Sequence, residues 1–184
     1  CALHCVFCQN ENIANGTAGK VISTERLGEI FLELQEKGAN NINLVTPGQF
    51  VPQIIKAVEL ARNQNLKIPI VYNTSSYENV DTIRSLEGIV DIYLPDFKYF
   101  DTALSAKYSH APDYPAVAKA VIAEMVRQTG AAVFENGEDS LMKRGTIVRH
   151  LILPGCTKDS NICMKPMRIK YISVSCTSLH RSLT

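Results

Sequence analysis

The sequence has no apolar run long enough to cross a membrane, no cluster of lysine and arginine, no internal repeat and no low-complexity tract. A membrane-spanning helix needs about 20 consecutive apolar residues, and nucleic-acid-binding surfaces are usually strongly basic. The formal net charge is only +1. We therefore expect this protein to have neither a membrane nor a nucleic acid as a partner.

The sequence lacks the cysteine content of a disulfide scaffold, and it does not begin with methionine. With 184 residues and 46% hydrophobic content it can form one domain with a proper core. Six cysteines are too sparse for a small disulfide-stapled secreted scaffold, and clustered thiols fit the reducing cytoplasm better. Because residue 1 is Cys1, we expect the natural N-terminus to be missing, together with any targeting signal.

What the sequence does contain is an alternation of amphipathic helices and short apolar strands. The first helix is predicted to begin at Ser23 or Thr24 and to end at Gly38. The later predicted segments are strands 41–46, 68–73, 89–94 and 146–153, helices 50–65, 78–86 and 116–128, a loop with room for a short helix at 99–115, and a hairpin or flap at 132–142. This alternation predicts an α/β fold with right-handed β-α-β units on a parallel sheet.

Polar residues follow three of the predicted strands. Thr46 to Gln49 follow the first, Asn73 to Ser75 follow the second, and Asp96 and Lys98 follow the third. Parallel α/β folds carry their functional sites at the carboxyl ends of the strands. These side chains are therefore expected at one edge of the sheet.

The chain opens on three cysteines, Cys1, Cys5 and Cys8, at the spacing C-x3-C-x2-C. Neighbours this close are geometrically poor disulfide partners, whereas three soft thiolates on one loop suit zinc or an iron–sulfur cluster. A structural zinc would need a fourth ligand, which His4 or a distant cysteine could supply. A 4Fe–4S cluster held by three cysteines would keep one iron open to a small molecule. Three unrelated thiols are the remaining alternative.

The cysteine loop, with Phe7 before its third cysteine and Gln9-Asn10 after it, resembles the radical S-adenosylmethionine superfamily. With the later stretches, over roughly residues 1–160, the chain resembles the pyruvate formate-lyase activating enzyme-like group. The resemblance implies that the three cysteines ligate a 4Fe–4S cluster whose open iron takes the amino and carboxylate groups of S-adenosylmethionine. Reductive cleavage of that cofactor would give a 5′-deoxyadenosyl radical that abstracts hydrogen from an unknown substrate.

The same resemblance assigns a cofactor-binding edge. Where this chain has Pro47 to Gln49, relatives often carry Gly-Gly-Glu, whose acid receives the ammonium group of S-adenosylmethionine. The Gln49 side-chain oxygen can also accept a hydrogen bond from that ammonium, but the bond is weaker because glutamine carries no charge. Cys156 follows a strand end where relatives often carry another residue, and it is treated as incidental. The residues predicted to bind the cofactor are Phe7, Thr46, Gln49, Asn73, Asp96, Lys98 and Arg149.

Each of these assignments has a structural alternative. Phe7 would equally serve as an ordinary core aromatic, and Asp96 with Lys98 as a solvent-facing pair after a strand. A charged residue inside an apolar strand needs a partner, so Arg149 could form an ion pair with Asp96 instead of holding a carboxylate. His150 alternates to the opposite face of that strand and is predicted to pack.

By this resemblance the fold is a partial parallel (β/α) barrel of the radical S-adenosylmethionine type, incomplete at both ends. Residues 1–160 would form the core, lacking its first strand. The substrate would be a glycyl-radical enzyme or a small molecule, and the reductant a protein such as flavodoxin or ferredoxin. The competing function is a zinc-stabilised binding or regulatory module.

The last segment, 161–184, departs from the family pattern. Residues 162–171 show no helical stripe, although a helix is due before the next parallel strand. Reverse translation of this segment shows that shifting the reading frame by one base permits codons for a strand like the one that the family carries next. We therefore predict a reading-frame shift near Asn161, which the nucleotide sequence would reveal.

Overall fold

The computed structural model describes residues 1–17, 19–135, 141–152 and 171–175, with the backbone alone for residues 152 and 171–175. The helices are α1 (Glu11–Ala14), α2 (Thr24–Glu36), α3 (Val51–Asn63), α4 (Val80–Arg84), α5 (Thr102–Ser109) and α6 (Tyr114–Thr129). The strands are β1 (Ile42–Val45), β2 (Ile70–Thr74), β3 (Ile92–Pro95), β4 (Val133–Phe134), β5 (Met142–Thr146), β6 (Val148–Ile152) and β7 (Tyr171–Ser175). The predicted α/β class is confirmed.

The sheet is mostly parallel. Its five strands run in the order β1-β2-β3-β5-β4, and all neighbours are parallel except the β4–β5 pair. Strands β6 and β7 form a separate parallel pair, and a parallel bridge between Asp96 and Arg149 sets β6 beside the end of β3. The pairings of the described strands do not amount to a closed barrel.

The predicted helices form for the reasons that the sequence indicates. The Ser23 side chain caps α2 by accepting from the Arg26 N–H, and Gly38, with φ of 82°, follows its last turn. Pro52 lies in the first turn of α3, where no amide donor is needed. Helices α2 and α3 bury their apolar stripes together, and Phe31 of α2 is 2% exposed. These elements match the predicted ones within a few residues.

Two hydrophobic clusters fill the interior. The larger, which we term the aliphatic core, lies between α2, α3, α4, α6 and strands β1–β3 and includes Ile54, Val58, Ile70, Ile83 and Met125. The second, which we term the aromatic cluster, lies beneath the cysteine loop. Its buried members are Leu3, Phe97, Tyr99, Tyr108, Ala111, Tyr114, Ala118, Ile122 and Val148.

The predicted hairpin is present, because β4 pairs antiparallel with β5. The short helix allowed for in the loop at 99–115 is α5, which the Asp101 side chain caps at the Ala103 and Leu104 N–H groups. The structure differs from the prediction at two places. The strand predicted at 146–153 is divided at Ile147, whose N–H donates to the Tyr93 carbonyl at 2.9 Å: β5 ends before this residue and β6 begins after it. The short helix α1 was not predicted.

No helix within the described residues is both long and apolar enough to span a bilayer. Cys156 and most of the segment 161–184 lie outside the described residues, so the predicted frame shift stays a prediction. The exception is the backbone of β7, which pairs in parallel register with β6 from Val148 opposite Tyr171 to Ile152 opposite Ser175.

Candidate functional site

The polar residues predicted to share one edge of the sheet are brought together there. The Thr46 N–H donates to the Asn73 carbonyl at 2.8 Å, and the Asp96 N–H donates to the Thr74 carbonyl at 2.8 Å. Asp96 in turn pairs with Arg149 across the parallel bridge. The carboxyl ends of β1, β2 and β3 are therefore level with one another and with the first half of β6.

A charged network joins four of the predicted cofactor-binding residues. Asp96 accepts from Lys98 Nζ at 2.5 Å through one oxygen and from Arg149 Nη2 at 2.7 Å through the other. Arg149 Nη2 also donates to Asn73 Oδ1 at 2.7 Å. The Lys98 and Asp96 side chains are only 12% and 19% exposed, so they are not a solvent-facing pair. The ion pair proposed as the alternative for Arg149 is present.

The buried hydroxyl of Tyr114 contacts the backbone at this edge of the sheet. Its hydroxyl accepts from the Lys98 N–H at 3.0 Å and lies 2.9 and 2.8 Å from the carbonyl oxygens of Ser75 and Asp96. Burial raises the pKa of Tyr114 well above its usual range, which keeps the hydroxyl protonated. One side chain thus links the loops that follow β2 and β3.

The cysteine loop is anchored on the aromatic cluster. Leu3 is 4% exposed and packs within that cluster, and the Val6 N–H donates to the Tyr108 carbonyl at 2.9 Å. The Cys8 N–H donates to the Cys5 carbonyl at 3.0 Å and closes a tight turn between the last two cysteines. Phe7 is partly buried against the same cluster, which agrees with its alternative role as a core aromatic.

Cys5 is the most enclosed of the three thiols. Its sulfur accepts a hydrogen bond from the Ser109 hydroxyl at 2.9 Å, and Ser109 lies 2.6 Å from the Tyr99 hydroxyl. Burial raises the pKa of Cys5, and the Ser109 hydrogen bond and the charge of Lys98 oppose that rise. Asp96, which is paired with Lys98, raises the pKa of this thiol, so the two charges act on it in opposite directions.

The donor chemistry of the loop fits an iron–sulfur cluster or a zinc ion, but its sulfurs are not gathered around one point. Cys1, Cys5 and Cys8 are all free thiols, and Cys1 and Cys8 are exposed. Within the described residues no three His, Cys, Asp or Glu side chains lie close enough together to hold a metal ion. Binding through these three cysteines would require their sulfurs to lie closer together than they do here.

A cavity of about 410 Å³ opens beside the cysteine loop at the same strand ends. Pockets for small-molecule ligands span roughly 300–1,000 Å³. Three predicted site residues, Cys1, Thr46 and Gln49, share its wall. The full lining is Cys1, Ala2, Thr46, Gly48, Gln49, Ser75, Tyr77, Glu78, Asn79, Thr82, Asp113 and Val117.

Backbone strain marks two loops at this edge. Thr46, directly after β1, has φ of 50°, and Ser76, two residues after β2, has φ of 66°. Non-glycine residues adopt this left-handed region only when the surrounding structure imposes it, and such residues cluster at functional sites. Among the described residues two more positions of this kind, Asn65 and His110, follow the ends of α3 and α5.

Two buried polar atoms beside the network have no hydrogen-bond partner among the described residues. They are Arg149 Nε and His150 Nε2. His150 is 4% exposed, and its other ring nitrogen lies 2.6 Å from the Phe97 carbonyl, as expected for a packing residue. The Arg149 Nε is a buried donor next to the strand ends.

Sequence reasoning missed four residues that build this site, namely Ser109, Tyr114, Tyr72 and Glu78. Ser109 and Tyr114 lie on or near helices whose patterns report only burial, so nothing in the sequence signalled their contacts. Tyr72 and Thr74 are two residues apart on β2, so their side chains face the same side of the sheet, and the sequence alone indicates this. Glu78, four residues after Thr74, could have been connected to them on that basis.

The comparisons with known proteins give no family for this chain. No family model matches it. The uncharacterized protein MJ0674 of Methanocaldococcus jannaschii is 24% identical over 161 residues, which cover 84% of this chain and 42% of that protein. The chain thus spans less than half the length of this relative.

Proposed function

We propose that this protein is a radical S-adenosylmethionine enzyme of the activating-enzyme-like type. The observation behind the proposal is that Cys1 of the cysteine loop shares one cavity with Thr46 and Gln49 at the carboxyl ends of the strands. When bound, a 4Fe–4S cluster would supply the electron that cleaves S-adenosylmethionine to a 5′-deoxyadenosyl radical. The chain's own residues would hold both groups and keep them adjacent.

The strand order supports a barrel-type arrangement as part of this proposal. Strands β1, β2 and β3 lie side by side in chain order, β6 continues beside β3, and β7 follows β6, all in parallel. A doubly wound sheet would show a reversal of strand order, whereas a (β/α) barrel does not. We propose that the described strands are part of such a barrel.

The cluster would be held by Cys1, Cys5 and Cys8. Ser109 positions the Cys5 sulfur from below, at 2.9 Å, and Lys98 places a positive charge near the same thiol. A nearby positive charge favours the thiolate, which is the form that binds metal. Both residues would thereby offset part of the rise that burial causes in the pKa of Cys5.

The cofactor would lie along the strand-end edge. The proposed contacts are Phe7, Thr46, Gln49, Asn73, Asp96, Lys98 and Arg149. In the described structure Lys98 and Arg149 are bound to Asp96, so they also fix the loop that follows β3. We further propose a cytoplasmic enzyme that takes electrons from a flavodoxin or ferredoxin and acts on a glycyl-radical enzyme or a small molecule.

The test is anaerobic reconstitution with iron and sulfide, followed by incubation with S-adenosylmethionine and dithionite. We expect a brown protein with broad charge-transfer absorption that forms 5′-deoxyadenosine. Cys5→Ala should abolish bound iron and product, whereas Cys156→Ala should keep both. A colourless protein with stoichiometric zinc would support the zinc-stabilised module, for which His4 on the same loop would be the fourth ligand. Retention of a full cluster by Cys5→Ala would refute the ligand assignment.

A further inference from the structure

The cavity beside the cysteine loop contains a carboxylate to which the family resemblance gives no role. Glu78 lies on the loop between β2 and α4 and lines the cavity together with Gly48 and Gln49. A methyl group at position 48 would lie 2.9 Å from Glu78 Oε2 and 3.6 Å from the Tyr72 hydroxyl oxygen. The absence of a side chain at Gly48 therefore lets the backbone next to Gln49 pass directly over the carboxylate.

Two neutral hydroxyl groups hold this carboxylate in place. The Tyr72 hydroxyl donates to Glu78 Oε2 at 2.6 Å, and the Thr74 hydroxyl donates to Oε1. Tyr72 is 0% and Thr74 2% exposed, so both donors belong to the rigid strand β2. Burial and the charge of Glu78 raise the pKa of Tyr72, which keeps that hydroxyl a donor. The carboxylate is thus oriented without being neutralised.

Among the described residues, the charged side chains in the cavity wall are acidic. Glu78 and Asp113 line the cavity, and no lysine, arginine or histidine side chain of the described part of the chain does. Among the described residues Glu78 forms no ion pair, whereas Asp96 at the same edge pairs with two cations. A carboxylate that is held by neutral donors and faces a cavity is suited to a ligand with a positive charge.

We propose that Glu78 accepts the α-ammonium group of S-adenosylmethionine and provides the negative charge that Gln49 lacks. This inference rests on the proposed function of the site. Gln49 and the backbone around Gly48 would contact the same group from the loop after β1, while Tyr72 and Thr74 keep the carboxylate aimed. Glu78 is then a binding residue of the cofactor's amino-acid portion, and it has no direct part in the electron-transfer step.

The experiment measures binding with two ligands, so that it does not depend on turnover. S-Adenosylhomocysteine has the α-ammonium group but no sulfonium charge, and 5′-methylthioadenosine lacks the whole amino-acid portion. Dissociation constants would be measured by calorimetry on the anaerobically reconstituted protein. We expect Glu78→Gln to weaken the binding of S-adenosylhomocysteine about 10- to 100-fold and the binding of 5′-methylthioadenosine by less than about 3-fold. Unchanged affinity of Glu78→Gln for S-adenosylhomocysteine would overturn the inference.

A rescue variant provides the second arm. In the double variant Glu78→Gln/Gln49→Glu, the charge returns at the neighbouring position, and most of the lost affinity for S-adenosylhomocysteine should return with it. If Glu78→Gln binds neither ligand, the double variant decides the question. Recovery of S-adenosylhomocysteine binding would support the inference, and no recovery would overturn it.

The control variant is Asp113→Asn, which removes a carboxylate from an exposed position of the cavity wall. It should lower the affinity for S-adenosylhomocysteine by less than about 3-fold. A wild-type protein that binds neither ligand would refute the proposed function itself, and the inference with it.

Discussion

Between α2, α3 and the strands β1–β3 the buried side chains are mostly aliphatic, with Phe31, Tyr72 and Tyr93 among them, whereas the carboxyl ends of the same strands have more aromatic, hydroxylated and charged side chains. In the aliphatic core, residues such as Val58 and Ile54 contribute area and volume, and one apolar residue can replace another of similar size. At the strand ends each contact depends on a particular atom, such as the Tyr114 hydroxyl or the Asp96 oxygens. Stability is thus concentrated in one region and chemical specificity in the other.

The largest effect on stability is expected in the aliphatic core. Ile54→Ala on α3 removes a side chain that is 3% exposed, which should lower the free energy of unfolding by about 2–5 kcal/mol. Ile13→Ala makes the same change at a residue that is 68% exposed and should cost less than about 0.5 kcal/mol. Urea denaturation followed by circular dichroism measures both. Equal costs for the two variants would contradict the assignment of this core.

The charged network should show a smaller loss. Arg149→Leu removes two hydrogen bonds to Asp96 and Asn73 beside a largely buried carboxylate, so the free energy of unfolding should fall by about 1.5–3 kcal/mol. Arg84→Leu breaks the exposed pair with Asp81 on α4 and should cost at most about 0.5 kcal/mol. The same denaturation experiment compares them. A neutral Arg149→Leu would mean that the network does not stabilise the strand ends.

A still smaller loss is expected where a single hydroxyl links two loops. Tyr114→Phe leaves the ring packed but removes the acceptor of the Lys98 N–H and the donor to the Ser75 and Asp96 carbonyls, which should cost about 1–2 kcal/mol. The control is Tyr77→Phe, which removes a hydrogen bond to the exposed Asp113 and should lower the free energy of unfolding by less than about 0.5 kcal/mol. Thermal unfolding of the two variants would measure the difference. A larger cost for Tyr77→Phe would reverse our account of these tyrosines.

The subtlest prediction concerns the protonation of Cys5. The Ser109 hydrogen bond lowers the pKa of this thiol against the rise that burial causes, so Ser109→Ala should raise that pKa further. The pH midpoint for alkylation of Cys5, followed by peptide mass spectrometry, should therefore move upward. Ser105→Ala, on the same helix, removes a buried hydroxyl that donates to Thr102 and should leave the midpoint in place. A downward shift in Ser109→Ala would contradict the observed hydrogen bond.

The two regions also differ in how far the sequence predicted them. Helical spacing and N-cap chemistry were enough to place α2 and α3, because each of these signals is local. The meeting of Thr46, Asn73, Asp96 and Arg149 was predictable as well, since parallel strands end at the same edge. Ser109 beneath Cys5 was not predictable, because the hydrogen bond joins residues 104 positions apart. Long-range contacts of this kind depend on how whole elements pack, which no local pattern encodes.

The break at Ile147 between β5 and β6 shows the same limit. The run from Thr146 onward is predicted to be one strand, yet Thr146 pairs with Tyr93 in the first half of β3 and Arg149 pairs with Asp96 beyond its end. The sequence predicts extended backbone in both halves. It does not reveal that the two halves pair with different parts of β3.

The most direct test of the account is whether the cysteine loop and the cavity form one site. Electron paramagnetic resonance of the reconstituted, dithionite-reduced protein, with and without S-adenosylmethionine, measures this. The account predicts an iron–sulfur signal whose g values change when S-adenosylmethionine is added. It also predicts that Glu78→Gln keeps the cluster signal but needs a higher concentration of S-adenosylmethionine for the same change. A cluster signal that S-adenosylmethionine leaves unaltered at saturating concentration would contradict the account.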